Sequence, residues 1–167
     1  MFDKTLSPFA KPFLSKMAIY AVKIGVSADA VSILGFITGI VAAFLVGYGH
    51  FLLALLFFSL NRILDGLDGA IARVKIPTHR GAFLDIVFDF IIYSSIPFAF
   101  AVFNDKNSFV ACFIIFSFVG TGTSFLAYGI LQEKISKKNK KSTGEKSFYY
   151  LSGLIEGSET IFFIVLI

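Results

Sequence analysis

The sequence predicts an all-α fold, a polytopic bundle of transmembrane helices preceded by an amphipathic helix at the membrane interface. Three observations predict it. Of 167 residues, 56% are hydrophobic, 22 are phenylalanine and only 16% are charged. Mean hydropathy is +0.82. Apolar runs of about 20 residues, the length that crosses about 30 Å of hydrocarbon, recur along the chain. Because lipid offers no partner to a backbone amide, such runs are helices. The lone cysteine, Cys112, lies inside one of them, so neither a disulfide framework nor a thiolate metal site is expected.

The first segment, MFDKTLSPFAKPFLSKMAIYAVKIG, is too interrupted to span, with Pro8, Pro12 and lysines at 4, 11, 16 and 23. From Leu14 its apolar residues recur at helical spacing with lysines between them. That pattern suits a helix in the headgroup plane with its lysines toward anionic lipid. No small-residue cleavage site follows a short apolar core, so residues 1–27 read as a juxtamembrane segment and not as a cleaved signal.

Spanning helices are expected at residues 28–48, 51–73, 82–103 and 108–131, separated by breaks at GYGH, KIPTHR and NDKN. A fifth begins within LSGLIEGSETIFFIVLI. Its apolar run from Ile161 covers only about 10 Å at 1.5 Å per residue, so residues 28–167 are expected to hold about four and a half membrane helices and to stop within the fifth.

Orientation follows from Lys and Arg in the connections, with Arg62 set aside because it lies within a span. The N-terminal segment has four, residues 73–80 have three, EKISKKNKKSTGEK has six, and the opposite side offers only Lys106. The positive-inside rule places all three basic segments in the cytoplasm. The net charge of +4 therefore reads as an attraction for anionic lipid and phosphorylated substrates. Nucleic acid is disfavoured, since no aromatic-interleaved basic platform lies outside the membrane.

Chemistry concentrates in ILDGLDGAIARVKIPTHRGAFLDIVFDFII, residues 63–92. Asp65, Asp68 and Ala72 fall at i, i+3 and i+7 on one face of the second spanning helix, with Gly69 beside them. Pro77 and then Gly81 are expected to break the helix and make the turn. Asp85 and Asp89 lie at i, i+4 on the next helix, so a short antiparallel connection brings four carboxylates together. Like charges a few ångströms apart repel by roughly 4 kcal/mol at an effective dielectric near 20. Protonation or Arg73 could relieve that repulsion, but a pair of hard divalent cations, Mg²⁺ or Mn²⁺, best fits an all-oxygen ligand set. Two carboxylate-held metals are the usual apparatus of phosphoryl transfer. Gly69 and Ala72 leave room for a phosphorylated ligand near the backbone, and Arg73 supplies a fork matched to phosphate oxygens. The alternative is that Gly69 and Ala72 are helix-packing residues and Arg73 a cytoplasmic anchor.

These residues resemble the signature of the CDP-alcohol phosphotransferases, DxxDGxxAR followed after a spacer by GxxxDxxxD. Here it reads Asp65, Asp68, Gly69, Ala72 and Arg73, then Gly81, Asp85 and Asp89. The spacer from 74 to 80 has seven residues where the family usually has eight, which affects the loop and not the helix-borne aspartates. The lead-in VSADAVSILG, residues 26–35, looks like a variant of the start of the first family helix. The resemblance implies a six-helix membrane fold and a homodimer. It implies transfer of a phosphatidyl or related group from a CDP-linked donor, most readily CDP-diacylglycerol, to an alcohol with release of CMP. By the same analogy the metal set is Asp65, Asp68 and Asp85 with Asp89 beside them as its fourth member, and Asp89 also takes the acceptor's proton. Asp65, Asp68, Gly69, Ala72 and Arg73 then line the nucleotide and diphosphate site. This makes residues 28–167 a catalytic domain of phospholipid biosynthesis whose site faces the cytoplasm, in the inner membrane if the source is bacterial.

For a phosphorylated acceptor, Arg80 and Lys138 lie on the correct side, though lysine runs in such loops also serve topology. His79, Glu156 and Glu159 are weaker candidates, with solvation and helix-terminus placement as their plain explanations. An ion-coupled transporter or channel subunit is the rival class, since intramembrane carboxylates also mark cation pathways. A silent assembly protein using the hairpin for packing is the third.

Overall fold

The computed structural model describes residues 2–139, with side chains described for residues 12–131. Within them are five α-helices: α1 (Phe2–Lys23), α2 (Ala28–Gly47), α3 (Phe51–Val74), α4 (His79–Phe103) and α5 (Ser108–Asn139), with a 3-10 turn at Asp105–Asn107 before α5. No strand occurs among the described residues.

Local chemistry sets the boundaries. Ser27 caps α2 by accepting from the Ala30 amide at 3.2 Å, as a short hydroxyl side chain does at a helix start. After α2 the chain reverses through Gly49, whose φ of +79° suits a residue without a Cβ. α3 ends at Val74, and Pro77 lies in the connection, where no helical amide is needed. Thr78 then caps α4 by accepting from the Gly81 amide at 2.9 Å. Gly81 therefore belongs to the first turn of α4 and does not make the loop; α4 starts three residues before the expected 82. α5 runs eight residues past the expected 131, so Lys134, Lys137 and Lys138 are helical and not in a loop.

Among the described residues, three helices are long and apolar enough to cross a membrane: Ala28–Gly47, His79–Phe103 and Asp105–Leu131. The expected second crossing, α3, has 24 residues, about 36 Å of helix. It is not among the three because Arg62, Asp65, Asp68 and Arg73 interrupt its apolarity. α3 nevertheless runs back along α2, joined by a three-residue turn, and α4 also packs on α2.

Small residues let these helices approach. A Cβ on Gly35 would sit 3.3 Å from the Leu64 Cβ, and one on Gly39 would collide with Ile92. The central core joins Ala42, Ala43 and Val46 of α2 to Ala54 and Phe58 of α3 and to Ile92, Tyr93, Ile96 and Ala99 of α4. A second cluster ties α1 to the site helices through Ala18, Val31, Leu67, Ala70 and Ile71. Gly66 admits the Leu14 side chain, 3.1 Å from where its Cβ would stand. α1 thus packs directly behind the Asp65–Asp68 segment. α5 leans on α4 and leaves Phe109, Phe113 and Phe116 outward, where lipid would meet them.

Candidate functional site

The helical repeat sets Asp65 and Asp68 on one face of α3, and the antiparallel return through residues 75–78 brings Asp85 of α4 opposite them. One carboxylate oxygen from each of the three lies within 4.8 Å of the others. Ligands of one octahedral Mg²⁺ at about 2.1 Å stand no more than about 4.2 Å apart. A small side-chain rotation would therefore let all three carboxylates reach a single hard cation, and their oxygens are the donor type such a cation takes. Asp68 is 6% exposed and is held from α2, where the Ser32 hydroxyl donates to its Oδ2.

Asp89, expected in the same cluster, is bound differently. Its Oδ1 accepts from Arg62 Nη2 at 2.9 Å. Arg62 Nη1 donates to the Tyr93 hydroxyl at 2.8 Å and lies 3.6 Å from Asp65 Oδ2. Arg62 Nε donates to Asn61 Oδ1 at 2.8 Å, while Asn61 Nδ2 donates to the Gly35 carbonyl at 2.8 Å. The guanidinium also lies over the rings of Tyr93 and Phe58, at 5.1 and 5.8 Å. One cleft is lined by Ser32, Gly35, Phe36, Asn61, Arg62, Asp65, Asp68, Asp85, Phe88 and Asp89. Phe36 and Phe88 stack at 4.3 Å across it, from α2 and α4.

The four aspartates thus share the expected cleft, but the positive charge among them is Arg62 and not Arg73. Arg73 is exposed and makes no ion pair among the described residues. A Cβ on Gly69 would meet only Arg73 Nη1, at 3.4 Å. That leaves the Gly69 face open to a ligand and argues against a pure helix-packing role. Arg80 pairs with Asp29 at 3.3 Å, and Lys75 Nζ donates to the Val26 carbonyl at 3.0 Å. The connection between α3 and α4 is thereby tied to the start of α2. His79 is exposed in the first turn of α4. The Lys138 side chain, Glu156, Glu159 and the expected fifth crossing lie outside the described residues.

Sequence reasoning missed Arg62, Asn61, Tyr93 and Ser32. A signal existed for the first: an arginine inside an apolar helix, three residues before Asp65, must find a partner at its own depth. Tyr93, four residues after Asp89, shares that helix face. Ser32 had no such signal, because its partner comes from another helix.

A sequence model of the family described as CDP-alcohol phosphatidyltransferase matches residues 26–165. Among curated proteins, the inner membrane protein YnjF of Escherichia coli strain K12 is 42% identical over 167 residues, covering 99% of this chain and 81% of its own length. No solved structure matches.

Proposed function

The chain belongs to the CDP-alcohol phosphatidyltransferase family, an integral membrane family of transferases acting on CDP-alcohols, and from that premise we propose that it transfers a phosphatidyl group from CDP-diacylglycerol to a small alcohol. The observation that carries the reading is the convergence of Asp65, Asp68 and Asp85 within 4.8 Å beside Asp89. Asp65, Asp68 and Asp85 would hold two Mg²⁺ or Mn²⁺ ions, which when bound neutralise the diphosphate and stabilise the departing phosphate.

The residues of the chain supply the rest. The open face at Gly69 and Ala72 admits the cytidine diphosphate, and Arg73 reaches its oxygens with a planar fork. Asp89 lies one helical turn beyond Asp85 on α4. It accepts the acceptor's hydroxyl proton as the acceptor oxygen bonds to the lipid-bearing phosphorus. The bond from that phosphorus to the bridging oxygen breaks, and the oxygen leaves with CMP. The site opens to the cytoplasm on the charge pattern of the loops, and the active unit is a homodimer by family analogy. Arg80 and Lys138 remain the candidates for a phosphorylated acceptor.

The test is CMP release by the purified full chain given CDP-diacylglycerol, Mn²⁺ and a panel of alcohols, with the lipid products identified by mass spectrometry. Loss of the base predicts a fall of about 10³-fold for Asp89→Asn; undiminished release would remove Asp89 from the mechanism. An ion-coupled transporter would bind Mn²⁺ without releasing CMP.

A further inference from the structure

The four carboxylates are not equivalent, and Arg62 makes them so. Its side chain is 12% exposed and each of its nitrogens has a partner: Asn61 for Nε, Tyr93 and Asp65 for Nη1, and Asp89 for Nη2. Both oxygens of Asp89 face this network, Oδ1 on Arg62 and Oδ2 3.5 Å from the Tyr93 hydroxyl. The oxygens that approach one another within 4.8 Å belong to the other three aspartates. A cation that recruited Asp89 as a ligand would have to break a part-buried ion pair and then face the freed guanidinium, both unfavourable within the membrane helices.

We propose that Arg62 is a positioning residue that reserves Asp89: the ion pair keeps the fourth carboxylate out of the resting metal-ligand set, so that Asp65, Asp68 and Asp85 bind the first cation and Asp89 stays available to the acceptor hydroxyl. The second half of that statement rests on the transferase reading above; the first half does not. Asn61, anchored on the Gly35 carbonyl, and the ring of Tyr93 hold the guanidinium against rotation. The device therefore spans α2, α3 and α4.

The proposal predicts an unusual sign. Removing a buried, hydrogen-bonded arginine from a merely structural position would loosen the site and weaken cation binding. Here Arg62→Gln removes a like charge from beside the cation and frees Asp89 to become a fourth ligand. Mn²⁺ should then bind the full-length protein about tenfold or more tightly without any nucleotide. Turnover should fall about 10²-fold, with the donor KM changed little, because the freed carboxylate is drawn to the cation and away from the acceptor. Arg62→Lys keeps the charge without the fork, so its Mn²⁺ affinity should stay near that of the native protein and part of the turnover should return.

Calorimetric titration of Mn²⁺ into the native protein, Arg62→Gln, Arg62→Lys, Asp89→Asn and the Arg62→Gln/Asp89→Asn pair decides the matter. Asp89→Asn leaves Arg62 unbalanced beside the cation and should weaken Mn²⁺ binding by about as much as Arg62→Gln strengthens it, so the Arg62→Gln/Asp89→Asn pair should return to near the native affinity. Equal or weaker Mn²⁺ binding by Arg62→Gln overturns the proposal. So does an affinity lost on Asp89→Asn alone as completely as on Asp85→Asn, a result that stands even if Arg62→Gln fails to fold. The metal measurements need no turnover, so an absence of CMP release with the expected Mn²⁺ pattern would overturn the transferase reading and leave the role of Arg62 standing.

Discussion

Asp65, Asp68 and Asp85 crowd three oxygens within 4.8 Å, and among the described residues only Asp65 touches a cationic side chain, at 3.6 Å. One helical turn away, Asp89 sits 2.9 Å from a guanidinium that is itself held by Asn61 and Tyr93. Both groups are built from the same two antiparallel helices, and both follow the same helical spacing. They differ in charge balance: the trio carries an excess of negative charge that suits a cation, while the Asp89 pair is neutral within the fold. The contrast teaches that a row of acidic residues on membrane helices is not one site by virtue of spacing alone. Which carboxylates are available to metal depends on what the neighbouring helix face offers each of them.

The largest effect should come from breaking the trio. Asp85→Asn removes one of three anionic ligands and leaves Asp65 and Asp68 too few to hold a divalent cation. CMP release should fall about 10³-fold or more, on the order of 4 kcal/mol of transition-state stabilisation. The same variant should lose most of its Mn²⁺ binding by calorimetry. Retention of both would show that the three-oxygen cluster is not the metal site.

Ser32→Ala leaves every carboxylate in place but removes the hydroxyl that orients Asp68. Partners that orient a metal ligand typically contribute 10-fold to 100-fold in metal affinity or activity, so Mn²⁺ affinity should drop by about that factor. The Arg62–Asp89 pair should be undisturbed. If the affinity stays unchanged, Asp68 is positioned by helix packing alone.

Gly39→Ala acts on the other half. The added methyl would collide with the fully buried Ile92 and come within 3.1 Å of Asn61 Nδ2, the group that anchors the Arg62 network to the Gly35 carbonyl. Overpacking of this kind costs about 1 to 3 kcal/mol, read as a lowered Tm of the protein in detergent. Turnover should suffer more than Mn²⁺ affinity, the reverse of the Ser32→Ala pattern. An unshifted Tm would mean that α2 and α4 are free to move apart at this level.

How much of this was legible beforehand depends on whether a partner lies on the same helix. The pairs Asp65–Asp68 and Asp85–Asp89 could be read directly, because a repeat of 3.6 residues places them on shared faces whatever surrounds them. The family signature carried the same residues. Arg62 was legible as an anomaly but was set aside when charges were counted for topology, and its partners Asn61, Tyr93 and Asp89 are assembled only by packing. Gly81 read as a loop residue because glycine after proline usually marks one. The Thr78 hydroxyl instead captures its amide and starts α4 earlier. The last span ends where the apolar run does, at Leu131, but the lysines beyond it are helical and not in a loop, because QEKISKKN holds neither glycine nor proline and the helix leaves the hydrocarbon without ending. A hydropathy pattern locates the membrane, and only breakers or caps locate the end of a helix.

The smallest expected effect tests the edge of the site. Arg80 and Asp29 meet at 3.3 Å, with Arg80's side chain 74% exposed. A surface pair of this kind contributes about 0.5 kcal/mol or less. Arg80→Ala should therefore leave the Tm unchanged within error, even though the pair links α4 to the start of α2. That insensitivity makes the variant informative about ligand contact. A severalfold rise in the acceptor KM without a change in Tm would assign Arg80 to the acceptor's phosphate. An unchanged KM would confine Arg80 to its contact with Asp29. A fall in Tm of several degrees would instead show that the α3–α4 connection depends on this ion pair for its geometry.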